Sequence, residues 1–210
     1  MNSFADHLYI FLLLIPIVTV HEAAHALAAH LLGDDTAQHE ERLTLNPLHH
    51  IDLWGTILMP MISVFLLSGG LLAWGRPVPV DPANFRSWRR DEILVALAGP
   101  FANILLAAVA VAGLHLLPAA SPWASLLQRG AFTSAFLALF NLLPLPPLDG
   151  WTILRSCFDL PHEWVQHAMV WGSLALLLLL NFSPLWSFME MGATNIVTIL
   201  NTLTGGRIPI

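Results

Sequence analysis

The sequence predicts an all-α polytopic membrane protein: about four full spans, a re-entrant segment and a C-terminal helix that is interfacial or a further span. Of the 210 residues, 56% are hydrophobic and only 10% are charged, whereas soluble domains carry about 25% charged residues. Several apolar stretches also reach the roughly 20 residues that a helix needs to cross the hydrocarbon core. This length is expected to form a single membrane domain over residues 1–210.

Four apolar stretches are predicted to be full spans. The first covers residues 8–32, the second covers 93–117, the third starts near residue 131, and the fourth covers 164–182. Over 187–203, apolar residues recur at helical spacing among Thr and Asn. That pattern is typical of a helix lying in the membrane interface, although a final span also fits.

The stretch 54–74 is apolar enough to span, but it is predicted to be re-entrant. Pro60 and the Ser-Gly-Gly sequence at 68–70 interrupt it. The loop that follows, 75–92, holds four of the eight cationic residues of the chain. By the positive-inside rule, such a loop lies in the cytoplasm.

His21-Glu22-Ala23-Ala24-His25 is an HExxH motif inside the first predicted span. On a helix, this spacing places two imidazoles one turn apart on the same face with a carboxylate beside them, which is the geometry of a zinc site with its own general base. A short motif can occur by chance. Ionisable groups within hydrocarbon are costly and usually functional, however, so this position favours chemistry in the bilayer.

A catalytic zinc site typically takes three protein ligands, so a third ligand is needed at membrane depth. Asp149 is the best candidate, because it follows the proline-rich sequence 144–147 at the end of the third span. Prolines forbid a regular helix there, and irregular backbone within a membrane must be buried in protein or line a cavity. The alternative role for Asp149 is a helix N-cap ahead of Trp151.

Four histidines are weaker candidates for the third ligand. His30 lies five residues beyond His25 and is rotated well off its face. His49 and His50 fall in a polar loop, where a solvated or interfacial position is favoured. His115 lies near the far end of its span.

Three motifs together resemble the site-2 proteases, zinc metalloproteases that cut substrates within the membrane. They are HEAAH at 21–25, Gly-Pro-Phe-Ala-Asn at 99–103 and Asn-x-x-Pro-x-x-x-Leu-Asp-Gly at 141–150, in the family's order. The sequences at 46–52 and 75–80 are similar to the compact prokaryotic branch, which has no PDZ or CBS domain. The resemblance implies regulated intramembrane proteolysis in the prokaryotic inner membrane, with the active site nearer the cytoplasmic face.

One Zn²⁺ per chain is expected, held by His21, His25 and Asp149. Glu22 is expected to act as the general base that takes the proton of the attacking water and passes it to the leaving amine. The expected substrate is a membrane protein with a transmembrane helix, which must unwind locally before its peptide bonds can be attacked.

The segment around Pro144 and Pro147 is expected to hold the substrate as an extended strand, with Asn141 and Asn103 as further contacts. For the two asparagines, hydrogen bonding between helices is an equally simple interpretation. Besides the substrate, the lipid bilayer is the expected partner. The chain has no basic cluster that would suggest nucleic acid, and its oligomeric state is left open.

The depths of the candidate ligands set the expected topology. At the helical rise, His25 lies about 12 Å from the end of the first span, and Asp149 lies roughly 9 Å from the end of the third. These depths match if the two spans run parallel, with one net crossing between them. Because 93–117 supplies that crossing, 54–74 is expected to enter and leave from the cytoplasmic face, with the N-terminus outside.

Two alternatives use the same residues differently. A metal-ion transporter would coordinate its cargo transiently with the His and Asp residues, but it predicts more polar residues along several spans than the fourth span offers. A pseudoprotease would bind membrane helices without cutting them. The intact glutamate of HExxH argues against that alternative.

Overall fold

A computed structural model describes residues 4–58, 75–118, 121–158, 160, 162–182 and 184–205. Within these residues the chain is helical and contains no β-strand. The helices are α1 (Phe4–Leu31), α2 (Thr36–His39), α3 (Trp88–Leu116), α4 (Pro122–Asn141), α5 (Asp149–Cys157), α6 (His162–Phe182) and α7 (Leu185–Leu203), with 3₁₀ turns at Pro47–His49 and Pro82–Asn84 and a π-helical turn at Leu53–Leu58.

The five expected helices are present, with different starting points. The largest difference is α4, which begins at Pro122 and not near residue 131. The Ser121 side chain accepts a hydrogen bond from the Trp123 N–H, and proline occupies the first turn, where its missing N–H costs nothing. The sequence 122–130, which contains Gln128 and Arg129, is therefore part of the same helix as the predicted span.

Two of the described helices are long and apolar enough to cross a membrane, namely Leu8–Leu31 and Trp88–Leu116. They correspond to the first and second predicted spans. Crossing by α4 and α6, and the placement of α7, stay predictions. The predicted re-entrant stretch lies outside the described residues from residue 59 to 74.

The chain divides into two compact units, Met1–Gly99 and Pro100–Ile210. In the first unit, α1 ends in a turn at Gly33, whose φ of +105° is one that glycine adopts without a steric cost. The Gly33 N–H donates to the His30 carbonyl at 3.1 Å, and the Asp34 N–H donates to the Ala29 carbonyl at 2.9 Å. These bonds satisfy the last carbonyls of α1 and turn the chain into the loop that follows.

The second unit is built on close helix packing. Small side chains between the helices let their backbones approach, which is how helices associate in membranes. The buried cluster consists of Ala107, Val111, Ala131, Ala135, Ala193 and Val197. Phe136 of α4 also packs on Trp186 of α7, with ring centroids 5.0 Å apart. This packing joins α4 to α7.

The proline-rich sequence after α4 is irregular, as expected. Helix α4 ends at Asn141, residues 142–148 form turns, and α5 begins at Asp149. The backbone of α6 passes beside this segment at Gly172, where a Cβ would lie 2.6 Å from Pro146 Cδ. Glycine at 172 is therefore what allows α6 to contact the proline-rich turn.

Candidate metal centre

The two histidines of the HExxH motif face each other on α1. Their Nε2 atoms are 3.1 Å apart, and the rings meet edge to face. Both side chains are buried, with 4% and 7% of the His21 and His25 surfaces exposed. Two nitrogens that bind one tetrahedral zinc ion at its usual bond length lie about 3.3 Å apart, so the pair fits this metal without rearrangement.

The orientation of the His25 ring is fixed from outside the motif. Its Nδ1 lies 2.7 Å from the backbone carbonyl oxygen of Val95 on α3. A carbonyl can only accept, so Nδ1 carries the proton and donates it to this bond. In the neutral ring the Nε2 lone pair is then directed toward His21. A second partner that selects the tautomer in this way is typical of metal-binding histidines.

Gly99 brings the α3 backbone into contact with both imidazoles. A Cβ at this position would lie 2.4 Å from His25 Nε2, 2.6 Å from His21 Cε1 and 2.7 Å from His21 Nε2. These separations are far below van der Waals contact, so only glycine fits. The close approach of the two imidazoles therefore explains why the 99–103 motif begins with glycine.

Glu22 lies beside the backbone of Gly75. A Cβ at 75 would be 3.6 Å from Glu22 Oε1 and 2.8 Å from the Val18 Cγ1 atom one turn earlier on α1. The chain at 75 therefore approaches α1 closely at the level of the motif. Glu22 is half-buried there, which suits a carboxylate that must exchange protons with a water molecule.

Asp149, in the second unit, is the first residue of α5. Leu148 occupies the N-cap position, so the alternative interpretation of Asp149 as an N-cap is wrong. Its carboxylate sits in the first turn, where the partial positive charge of the helix favours an anion. A Cβ at Gly150 would lie 2.3 Å from the Leu142 carbonyl oxygen and 2.4 Å from that of Leu143. Glycine after Asp149 thus lets α5 begin directly against the proline-rich turn.

Three of the rival histidines make bonds of their own. His30 Nδ1 is 2.6 Å from Asp35 Oδ1, and His115 Nε2 is 3.0 Å from Thr204 Oγ1. Of the two positions expected for His50, solvated or interfacial, the solvated one is wrong, because the side chain is 2% exposed and its Nε2 lies 2.9 Å from the Thr44 carbonyl oxygen. The turn at Pro47 folds the ring back on the preceding backbone. His49 is half-buried.

The four expected substrate contacts lie in the second unit. Asn103 is fully buried in α3, and the Asn141 Nδ2 donates to the Leu137 carbonyl at 3.0 Å. The Asn141 amide nitrogen is thus bound within its own helix. Pro144 and Pro147 are exposed on the turn after α4. Their substrate role stays a prediction.

Comparisons with known proteins find one matching family model and several bacterial relatives. The model of peptidase family M50 matches residues 117–180. YwhC of Bacillus subtilis (strain 168), which carries the provisional name of a zinc metalloprotease, is 35% identical over 93% of this chain and 92% of its own length. Rip2 of Mycobacterium tuberculosis, with a similar provisional name, is 35% identical over 65% of this chain and 52% of its own length. No solved structure shows a significant match.

Proposed function

Because the chain belongs to peptidase family M50, the site-2 proteases, we propose that it is a zinc-dependent endopeptidase that cleaves within or near transmembrane helices of membrane proteins. The observation that carries this proposal is the facing pair of His21 and His25 Nε2 atoms on α1. That helix is long and apolar enough to cross a membrane. Two imidazoles and a glutamate in such a helix are costly unless they perform chemistry.

His21, His25 and Asp149 are proposed to hold one zinc ion. Two neutral imidazoles and a carboxylate are common zinc ligands, and a set of three leaves a fourth coordination position open for chemistry. The Val95 carbonyl assists by keeping the His25 Nε2 lone pair directed into the site.

The proposed reaction is hydrolysis with Glu22 as general base. Bound zinc supplies Lewis-acid chemistry that acidifies water and polarises the peptide carbonyl. Glu22 takes a proton from the attacking water as the new C–O bond forms at the carbonyl carbon. It then delivers that proton to the departing nitrogen as the C–N bond breaks, so the products are a carboxylic acid and an amine, which end as a carboxylate and an ammonium when the acid proton passes to the amine.

The substrate is proposed to bind as an unwound, extended segment. Peptide bonds in a helix are hidden by its hydrogen bonds, so a local break must precede attack. Pro144 and Pro147 lie on exposed, irregular backbone that can accept such a strand. The Asn141 amide oxygen is the atom proposed to accept a substrate N–H, since the amide nitrogen binds Leu137. Asn103 is proposed as a further contact.

The proposed location is the inner membrane of a prokaryotic cell, as a multi-pass protein with its active site nearer the cytoplasmic face. The two apolar helices and the bacterial relatives support this location. No nucleic-acid partner is proposed.

We expect the Glu22→Gln variant to lose cleavage completely while retaining its zinc. The amide cannot accept the water proton, but the variant leaves His21, His25 and Asp149 intact. Purified protein would be reconstituted with a tagged single-span helix containing Gly and Pro, and both cleavage and bound zinc would be measured. Asp149→Asn is the contrasting variant, expected to lose zinc together with activity. Glu190→Gln, an exposed carboxylate in α7, should behave as the wild type.

Retained cleavage in Glu22→Gln would remove Glu22 from the mechanism. The same liposomes separate the two alternative functions from proteolysis. A transporter would pass zinc across the vesicle membrane without cutting the helix. A pseudoprotease would retain the helix intact under all conditions.

A further inference from the structure

Arg42 is a buried arginine in the loop after α2. Glu41 adopts a left-handed conformation, with φ of 55°, and the Arg42 N–H donates to the Ala37 carbonyl at 2.8 Å. This turn closes α2 and directs the Arg42 side chain inward, where only 2% of its surface is exposed. Non-glycine residues rarely adopt a positive φ, so the chain accepts local strain at the point that buries a cation.

The Arg42 guanidinium has one defined partner. Its Nη2 donates to the backbone carbonyl of Arg76. Its Nε and Nη1 make no hydrogen bond to any residue in the described part of the chain. Burial lowers the pKa of Arg42, and the charge of Arg76 lowers it further, whereas the carboxylates of Glu22 and Glu40 raise it. The cation is thus within electrostatic reach of the proposed general base.

The backbone of Arg76 is hydrogen-bonded at both its N–H and its carbonyl. Its N–H donates to the His50 carbonyl at 2.9 Å, and its own carbonyl accepts from Arg42. The preceding residue is Gly75, whose backbone lies against Val18 and Glu22. Two hydrogen bonds from the 42–50 loop therefore set the position of the backbone that borders Glu22.

We propose that Arg42 is a positioning residue of the hydrolytic site, which fixes the Gly75–Arg76 backbone beside Glu22. The catalytic part of this inference rests on the proposed function. A backbone fixed there defines the space in which the water and the scissile bond meet Glu22. Small misplacements at such positions can cost up to about 100-fold in rate. Arg42 therefore acts on the reaction through Gly75 and Arg76.

Hydrogen exchange at the Arg76 amide tests the structural part without any substrate. In Arg42→Met the apolar side chain fills much of the space but cannot donate, and we expect exchange at this amide to rise about tenfold. Arg42→Lys and Arg42→Gln keep a donor for the Arg76 oxygen and should give smaller increases. Arg86→Met, at an exposed position in the loop after Gly75, is the matched control and should leave exchange unchanged.

Cleavage kinetics on the same proteins test the catalytic part. We expect kcat of Arg42→Met to fall between about 10- and 100-fold with KM and bound zinc nearly unchanged. The kcat of Arg42→Lys should lie between those of Arg42→Met and the wild type. If Arg42→Met does not fold, Arg42→Gln takes its place, with a smaller fall expected. Unchanged exchange, or raised exchange with unchanged kcat, overturns the proposal. The remaining outcome is a wild type that cleaves nothing while exchange at the Arg76 amide still rises in Arg42→Met. That result overturns the proposed protease function, but it supports the role of Arg42 in fixing the Gly75–Arg76 backbone.

Discussion

At position 99 the side chain is a hydrogen atom, and the imidazoles of His21 and His25 occupy the space that a methyl group would fill. His25 cannot move away freely, because its Nδ1 is held by Val95. A larger residue at 99 must therefore push apart the two nitrogens that are proposed to share zinc.

We predict that Gly99→Ala lowers zinc affinity between about 10- and 100-fold, the range found when partners that orient metal ligands are altered. Zinc retained by the purified variant against a graded chelator measures this effect. Gly113→Ala is the matched control on the same helix, since among the described residues its Cβ would meet only Leu127 Cδ1, at 3.1 Å. Equal zinc retention in the two variants would contradict the steric argument.

The proposed ligand pair, His21 and His25, is predictable from sequence, but the residues that orient it are not. HExxH combines a residue type with a helical spacing, so His21, Glu22 and His25 carry their geometry in the sequence. Val95 acts through its backbone carbonyl, which any residue type provides. Arg42 lies in an ordinary polar loop, and its inward direction depends on the turn at Glu41.

At the scale of elements, Asp34 ties the end of α1 to the turn at Pro82–Asn84. The carboxylate is fully buried and accepts hydrogen bonds from the Thr36 backbone and hydroxyl, the Asp81 N–H at 2.8 Å and the Asn84 amide at 2.8 Å. Burial raises the pKa of Asp34, but the hydrogen bonds from Thr36, Asn84 and Asp81 lower it, and the net shift is downward.

Because the pKa of Asp34 in the folded protein lies below its ordinary value of 3.8, ionised Asp34 stabilises the fold above that pH. The stabilisation is lost as pH falls through the folded pKa. We predict that Asp34→Asn lowers the free energy of unfolding by about 2 kcal/mol at pH 7, since an amide donor would face the Asp81 N–H. The difference from wild type should shrink as the pH falls below 3.8.

Thermal unfolding in detergent at several pH values measures this difference. Glu40→Gln, an exposed carboxylate in the same loop, is the control and should follow the wild type. A gap between Asp34→Asn and wild type that stays constant down to acidic pH would show that the Asp34 charge is not the stabilising feature.

Element boundaries were harder to predict than element existence. Apolar runs locate the part of a helix that suits hydrocarbon, and α1, α3, α6 and α7 were found in that way. Polar helix ends carry no such signal, so the first turns of α4 were missed. Its Ser-Pro start at 121–122 is a recognisable capping sequence and would have placed the boundary correctly.

At the scale of the whole molecule, the loops on either side of the stretch 54–74 bear on the topology. The loops 33–53 and 75–92 belong to the same unit and are joined by direct hydrogen bonds. Asp34 binds Asp81 and Asn84, and Arg76 binds both Arg42 and His50. We predict that two loops bonded in this way lie on one side of the membrane, which is what the re-entrant prediction for 54–74 requires. From residue 59 to 74 that stretch lies outside the described residues.

We therefore predict that cysteines placed in the two loops label from the same, cytoplasmic face. Gln38→Cys and Arg86→Cys, both exposed, would be made singly in a Cys157→Ser background, because Cys157 is itself exposed. A membrane-impermeant maleimide applied to inverted vesicles should modify both, and applied to intact spheroplasts it should modify neither. Permeabilised cells give the maximum labelling of each site. Labelling from opposite faces would be incompatible with the Asp34–Asn84 and Arg42–Arg76 bonds, and with a single net crossing between α1 and α4. The parallel arrangement expected for the first and third spans would then be wrong, and a third ligand other than Asp149 would have to be sought.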